Sequence, residues 1–282
     1  MMNRLGRFCL PVVSFLIAFV AVASAATKQK PEEDPPMTFA LVRNGDCKIL
    51  CTQWISAEGR ITRDTPKQFA QLLHGLNGQR LPVVFQSRGG DVFSAISVGR
   101  MIRAAGLETA IGRTQLNGCP MLVPRCPEKM VRDGWSEGEV HAGGAYCFSA
   151  CPLLLAGGQV RAAAVNAYIG LHQITNGRAQ AHSGRRNLDQ ISAVPDPVLK
   201  QTLSDYFEEM GVKSRDVFAS MGLATPEGIH YILSQEALRS GIITKVFSYS
   251  EEPGYVTGAG SNPHPITSVL VSPNVDTAIP PP

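Results

Sequence analysis

A serine among small residues is the first feature of this sequence that could carry chemistry. Ser149 lies within Tyr-Cys-Phe-Ser-Ala-Cys-Pro at 146–152, and small residues on both sides of it permit a tight strand-to-helix turn. A serine attacks an acyl group when it is exposed, has a base within reach and faces donors for the oxyanion. A lone serine of this kind is more often a helix cap. Ser149 is therefore a candidate nucleophile that needs partners.

His172 and the pair Gly89–Gly90 are the candidate partners. His172 ends the apolar run 167–171, which predicts a strand whose carboxyl end opens where ligands bind parallel sheets. The alternative is a structural histidine bonded to a backbone carbonyl. Gly89–Gly90 join a predicted strand to a predicted helix, and their N–H groups would suit an oxyanion beside the positive helix end. Each feature is weak alone, and their order and context carry the hypothesis.

The elements that must position these residues alternate between strand and helix. Thr65–Pro66 opens a helix, because a capping residue is followed by proline and apolar residues then recur at helical spacing. A strand, a turn, a helix and a second strand follow within 81–111, which is a βαβ unit and predicts a parallel sheet. A second such unit is predicted over 145–173, then helices over 196–210, 214–222 and 226–240, and a last strand over 241–246.

Four segments of the chain resemble those of Clp-type serine proteases. They are Phe85 to Arg100 (FQSRGGDVFSAISVGR), Cys147 to Gly158 (CFSACPLLLAGG), Ile169 to Gln173 (IGLHQ) and Ile232 to Ile242 (ILSQEALRSGI). The resemblance covers roughly 50–247 and is best to an exported bacterial subgroup whose nucleophile is flanked by cysteines.

This resemblance implies an α/β chain with the Clp-protease/crotonase-like ββα spiral, a single domain with a mostly parallel sheet. It further implies that Ser149 is the nucleophile and His172 its base. The oxyanion hole would use the N–H of Gly89 or Gly90 together with that of Ala150. No cofactor is implied.

The sequence departs from the family pattern at three places. Arg88 stands where the family usually has proline, and residues 113–144 form a longer insertion, read here as an irregular cover that could cap or block the groove. His230 stands where the acid of the triad is expected. A nearby carboxylate could orient His172, with Glu227 favoured over Asp216 and Asp205. A Ser-His dyad and an inactive site remain open.

The N-terminus is typical of a secretory signal. Arg4 and Arg7 precede an apolar run over 8–22, and Ala-Ser-Ala at 23–25 fits a cleavage site. A retained membrane anchor is the alternative, but about 15 apolar residues fall short of a membrane span. We expect a signal at 1–25, a linker at 26–40, one domain at 41–250 and a disordered tail at 251–282. The mature chain is therefore expected in the periplasm or outside the cell, with no stable membrane span.

Six cysteines remain after the expected cleavage, and an even number in an exported chain favours disulfides. Cys119 and Cys126 close a proline-rich loop and are the favoured local pair. Cys47 and Cys51 could not pair within one extended strand, where such residues lie about 13 Å apart. Cys47, Cys51, Cys147 and Cys151 could pair locally or across, and the sequence leaves their connectivity open. A zinc site is the weaker alternative, because the paired spacing and nearby histidines are missing.

The charge of the chain excludes a nucleic-acid footprint. The formal net charge is +3, and loss of Arg4 and Arg7 would leave 24 basic against 23 acidic residues with no basic run. The leading hypothesis is an exported, ATP-independent Clp-like peptidase that acts on peptides or unfolded segments as a homo-oligomer. The first alternative is a catalytically inactive scaffold with Cys147–Cys151 bridged and the insertion filling the groove. Crotonase-type acyl-CoA chemistry is the second alternative.

Overall fold

The computed structural model describes residues 34–131, 134–174 and 197–247, and the predicted signal and the predicted tail lie outside this range. The described part contains eleven strands and six α-helices. In chain order they are β1 (Thr38–Asp46), β2 (Leu50–Glu58), α1 (Thr65–Gly75), β3 (Val83–Gln86), α2 (Val92–Ala104), β4 (Thr109–Ile111), β5 (Arg113–Leu116), β6 (Trp135–His141), β7 (Tyr146–Phe148), α3 (Cys151–Ala156), β8 (Arg161–Ala164), β9 (Tyr168–Leu171), α4 (Pro197–Glu209), α5 (Ser214–Met221), β10 (His230–Ile232), α6 (Ser234–Ser240) and β11 (Lys245–Phe247).

Eight strands form one sheet in the order β11-β8-β4-β3-β2-β1-β6-β5. Five of its seven pairings are parallel, and only β1 with β2 and β5 with β6 run antiparallel. Alternate residues of β3 are buried on opposite faces, with Val83 and Phe85 in one core cluster and Val84 in another. The predicted mixed α/β class with a mostly parallel sheet is confirmed.

A second sheet of three strands, in the order β10-β9-β7, stands beside the first. A parallel bridge between Ser87 and Cys147 connects the two: Ser87 N donates to Tyr146 O at 3.2 Å, and Phe148 N donates to Ser87 O at 2.9 Å. The residues that follow β3 are thereby brought against the residues that end β7.

The interpretation of 113–144 as an irregular stretch is wrong. It contains β5, a short 3-10 helix at Pro127–Lys129 and β6, and β6 extends the main sheet by pairing in parallel with β1. The middle of β6 is Ser-Glu-Gly-Glu, so it lacks the alternation of apolar and polar residues that predicts a strand. Its buried positions are occupied by the small residues Ser136 and Gly138. Leu116 and Val140 pack on the face of the sheet that carries Trp54 and Val84, whereas Trp135 packs against the core cluster on the opposite face.

Polar contacts fix this stretch to β2. Trp54 Nε1 donates to Thr114 Oγ1 at 3.2 Å, and Thr114 N donates to a Glu58 carboxylate oxygen at 2.6 Å. Burial raises the pKa of Glu58, and the nearby positive charge of Arg125 acts against that rise.

The prediction of a helix over 226–240 is wrong in its first half. Residues His230–Ile232 form β10, which pairs antiparallel with β9, and only Ser234–Ser240 are helical. Three residues are too few for a periodic pattern, so the strand depends on β9 as its partner.

Three disulfides are present in the described part of the chain. Cys119–Cys126 is the pair favoured from the sequence. Cys47 and Cys51 are bridged as well, because they lie at the turn of the β1–β2 hairpin with Cα atoms 4.5 Å apart, not within one strand as assumed. Cys147–Cys151 is the third bridge. None of the described helices is long and apolar enough to cross a membrane.

The short helix α3 is held by side chains of its neighbours. Arg103 donates to the carbonyls of Ala156, Gly157 and Gly158 at its C-terminus, at 2.9 to 3.1 Å. The buried Tyr206 hydroxyl donates to Leu153 O at 2.6 Å, and burial raises the pKa of this tyrosine. Six residues form a marginal helix alone, so tertiary contacts must hold α3 in place.

We expect Tyr206→Phe to lower the free energy of unfolding by about 1–2 kcal/mol, because the buried Leu153 carbonyl loses its donor while the ring packing is kept. Urea denaturation followed by circular dichroism measures the change. Tyr168→Phe is the matched control, since the side chain of Tyr168 is about half exposed (52%). Equal stability of the two variants would contradict the role given to the Tyr206 hydroxyl.

Candidate active site

Ser149 occupies the turn between β7 and α3. Its φ angle is +59°, a left-handed conformation that non-glycine residues seldom adopt. Its N–H donates to Gly170 O at 2.9 Å, which ties the turn to β9. The side chain is half-buried and not sealed in the core. A strained serine at a strand-to-helix turn is the backbone geometry of a nucleophile elbow.

His172 meets Ser149 because β7 and β9 run parallel in register. Phe148 is paired with Gly170, so the residues that follow these two strands are neighbours at one edge of the small sheet. His172 Nε2 lies 2.7 Å from Ser149 Oγ. This is the distance of a direct hydrogen bond between a nucleophile and its base.

The other ring nitrogen determines the tautomer of His172. His172 Nδ1 lies 2.7 Å from the carbonyl oxygen of Gln173. A carbonyl can only accept, so Nδ1 carries the proton and donates it to this contact. In the neutral ring Nε2 is then unprotonated and accepts from the Ser149 hydroxyl.

The glycine loop after β3 lies against the nucleophile. A Cβ atom on Gly89 would lie 2.6 Å from Ser149 Cβ and 2.7 Å from Ala150 N, so only glycine fits between them. Gly89 and Gly90 have φ angles of +98° and +141°, which L side chains seldom adopt. The close approach of Ser149 to the loop is therefore one reason why residue 89 must be glycine.

The N–H groups of the loop are not equivalent. Gly89 N donates to Ser87 Oγ at 3.0 Å, and that hydroxyl donates to Gly59 O at 2.6 Å. Within the described part of the chain, the N–H groups of Gly90 and Ala150 have no hydrogen-bond acceptor. Unpaired donors of this kind are what an oxyanion hole requires.

No carboxylate is hydrogen-bonded to His172 among the residues that the structure describes. Glu227 is exposed, Asp205 accepts from Gln201 at 2.7 Å, and His230 lies on β10 opposite Leu171. The role of Glu227 as the triad acid therefore stays a prediction without a supporting contact. The carbonyl of Gln173 takes the place next to Nδ1, and backbone carbonyls carry no sequence signal that could have revealed it.

Aromatic rings that sequence reasoning missed border the site. Tyr146 and Phe148 stack with centroids 5.0 Å apart, and Tyr231 meets Phe148 edge-on at 5.6 Å. Arg88, which replaces the expected proline, lies over the Tyr146 ring at 5.9 Å. The rings come from β7 and β10, and only their pairing with β9 brings them together. No group of three or more candidate metal-ligating side chains occurs in the described part of the chain.

Solved structures with similar folds include proteases. One is a serine-to-alanine mutant of the 1510-N membrane-bound stomatin-specific protease, with 16% identity and a TM-score of 0.43 over 68% of this chain and 76% of that one. Another is a mutant of ClpP1 from Listeria monocytogenes, with 13% identity and a TM-score of 0.39 over 67% of this chain and 87% of that one. The sequence matches no family model and no curated protein.

Gly89→Ala should disrupt the site without unfolding the domain. The added methyl group would overlap Ser149 Cβ and Ala150 N, and backbone cannot yield as a flexible side chain can. We expect covalent labelling of Ser149 by a fluorophosphonate probe to slow by about 10²-fold, the cost of a displacement of about 1 Å. Gly78→Ala is the control, because it also has a positive φ but no atom within 4 Å of the added Cβ. Equal labelling of both variants would show that the close approach is unimportant.

Proposed function

We propose that this chain is a serine hydrolase that cleaves peptide bonds through an acyl-enzyme on Ser149. The observation that carries the proposal is the 2.7 Å contact between Ser149 Oγ and His172 Nε2. The left-handed turn at Ser149 and the unpaired N–H groups of Gly90 and Ala150 support it. A serine with a purely structural role would have no need to combine these three features.

In the first half of the reaction, His172 Nε2 takes the proton of Ser149 as Oγ attacks the carbonyl carbon of the substrate. The carbonyl oxygen becomes an oxyanion and accepts from the N–H groups of Gly90 and Ala150. The protonated imidazole then gives its proton to the leaving amine, and the acyl group stays on Ser149.

In the second half, water replaces the amine. His172 removes a proton from the water, which attacks the acyl carbon, and the same ring returns the proton to Ser149 Oγ as the acid product leaves. The Gln173 carbonyl keeps Nδ1 protonated through both halves, so that Nε2 is always the nitrogen that exchanges protons.

The site therefore works as a Ser-His dyad oriented by a backbone carbonyl. A neutral carbonyl fixes the tautomer, but it stabilises the imidazolium less than a carboxylate would. Loss of correct orientation in a triad costs on the order of 10⁴ in rate. The dyad retains orientation and gives up part of the charge stabilisation, which predicts slow but real turnover.

The aromatic surface beside the site favours a peptide over a small acyl ester as substrate. Phe148 directly precedes Ser149 and contacts Tyr146 and Tyr231, and Arg88 directly precedes Gly89 and lies over Tyr146, so these rings surround residues next to the nucleophile and the glycine loop in the chain. Tyr231 is about half exposed (54%) and can cover apolar side chains of a bound chain.

The alternative of an inactive scaffold is less well supported. The Cys147–Cys151 bridge expected for it is present, but Ser149 is half-buried and in contact with its base. Leu116 and Val140 of the insertion pack on the other face of the main sheet, whereas Trp135 packs against the cluster that contains Cys147 and Cys151. No hydrogen bond joins the described part of the insertion to Ser149 or His172. Crotonase-type chemistry is supported by no observation in the described residues.

Export, independence of ATP and a homo-oligomeric state belong to the same proposal. Three disulfides within the described residues are typical of proteins outside the reducing cytoplasm. An enzyme there has no ATP-driven unfoldase to supply it, which fits peptides and unfolded segments as substrates. Peptide cleavage by the oxidised protein without ATP is the corresponding test, and a strict need for ATP would contradict it.

Ser149→Ala and His172→Ala should each abolish fluorophosphonate labelling and lower kcat for peptide cleavage by at least about 10²-fold, less than the ~10⁶-fold loss of a complete triad. The reason is that nucleophile and base act as one unit. Mass spectrometry of the labelled peptide identifies the modified serine. Ser94→Ala is the control, because Ser94 lies on α2, its N–H donates to Asp91 Oδ1 at 2.8 Å, and its backbone bond is kept in the variant. A folded wild-type protein that does not label at Ser149 would refute the proposal.

Glu227→Gln should change kcat/KM less than about threefold, because His172 Nδ1 is already bonded to the Gln173 carbonyl. A lost triad acid would instead cost on the order of 10⁴. Steady-state kinetics on one peptide substrate separate the two outcomes. A fall beyond 10²-fold would restore Glu227 as the acid that orients His172.

A further inference from the structure

The third disulfide encloses the candidate nucleophile. Cys147 is the middle residue of β7, Cys151 is the first residue of α3, and Ser149 is midway between them. The two Cα atoms lie 5.2 Å apart, and both side chains are fully buried. The bridge therefore joins the strand that leads into the turn to the helix that leaves it.

We propose that the Cys147–Cys151 disulfide is a positioning brace that holds Ser149 in its left-handed conformation and so aims Oγ at His172. The inference rests on the proposed function for the consequence in catalysis. Its geometric content, that the bridge maintains the turn, stands independently of any activity.

The conformation of Ser149 needs such a constraint. A non-glycine residue at a φ of +59° is less stable than in the helical or extended regions, and it persists only where its surroundings determine it. The residues on either side, Phe148 and Ala150, are neither glycine nor proline. The local sequence therefore does not favour a left-handed conformation at Ser149. Some tertiary contact must supply it.

Within the described residues, backbone hydrogen bonds to other segments fix the entry to the turn, whereas the bond of Ala150 O on its exit, from Leu153 N at 3.1 Å, stays within α3. Phe148 N donates to Ser87 O and Ser149 N donates to Gly170 O, both at 2.9 Å, which fixes the chain up to Ser149. On the exit side, Ala150 at the start of α3 makes no side-chain cap hydrogen bond. The anchors of α3 are at Leu153 and at its C-terminus, on Tyr206 and Arg103. The disulfide is the bond that connects the exit to the entry.

Burial distinguishes a brace from a redox switch. A reductant must reach a sulfur atom to attack it, and both Cys147 and Cys151 are fully buried in the main core cluster. Cys47, by contrast, is exposed at the tip of its hairpin. The bridge around Ser149 is therefore shielded from reductants in the folded protein, unlike the bridge at Cys47.

The chain offers a matched control for this bridge. Cys47–Cys51 has the same sequence separation of 4 as Cys147–Cys151, so both bridges restrict the unfolded chain alike. It closes the hairpin between β1 and β2, far along the chain from the site. A purely structural role of Cys147–Cys151 would make the two double variants equivalent in labelling.

The experiment compares C147A/C151A with C47A/C51A in the oxidised full-length protein. The rate of fluorophosphonate labelling at Ser149 is measured against probe concentration, which separates the labelling rate at saturation from probe affinity. We expect C147A/C151A to lower the saturating rate by about 10²-fold with affinity nearly unchanged, and C47A/C51A to leave both within about twofold. Circular dichroism shows that the variants are folded, and C151A alone serves if the double variant is not.

A crystal structure of C147A/C151A, or of C151A, gives a readout that needs no activity. We expect Ser149 to leave the left-handed region and its Oγ to move out of hydrogen-bond reach of His172 Nε2. Retention of both features would overturn the brace, as would wild-type labelling rates in the folded variant. Failure of the wild-type protein to label would instead refute the proposed function, and the crystal structure would still decide the brace.

Discussion

The pairing of β7 is the interaction on which the rest of the site depends. On one side β7 pairs in parallel with β9, and on the other the Ser87–Cys147 bridge ties it to the loop after β3. Three segments far apart in the chain thus end at one place: the glycine loop, Ser149 and His172. Parallel strands place their carboxyl ends at a common edge, so backbone hydrogen bonds alone account for this convergence.

Side-chain and backbone contacts then assign a role to each group. Ser87 occupies the N–H of Gly89 and leaves that of Gly90 available, and the Gln173 carbonyl occupies Nδ1 of His172 and leaves Nε2 for Ser149. In each case a neighbouring polar group forms a hydrogen bond with one of two similar nitrogen atoms, so that the other nitrogen remains available. A carbonyl and a hydroxyl do this without adding charge to the site, which distinguishes it from a triad built on a carboxylate.

The parts of the fold that were predictable are those with strong apolar patterns. The runs over 81–86 and 107–111 with the helix between them became β3, α2 and β4, because both faces of the central sheet are buried and their strands are apolar. β6 was missed because its buried positions hold serine and glycine. β10 was missed because three residues carry no period and its hydrogen bonds are to β9. The pairing of Cys47 with Cys51 was missed because the β1–β2 hairpin turn lies between them, so that they are not in one strand.

By itself the sequence determined the order of the chemical groups and the types of residue that could serve: a serine among small residues, a histidine after an apolar strand and two adjacent glycines. These are local properties, set by side-chain size and periodicity. The tertiary structure alone decided that Ser149 and His172 touch, that the N–H of Gly89 bonds Ser87 while that of Gly90 meets no acceptor among the described residues, and that a carbonyl stands beside the imidazole. These contacts depend on strand register and on backbone N–H and C=O groups, which every residue carries. The residue types along the chain therefore do not reveal them.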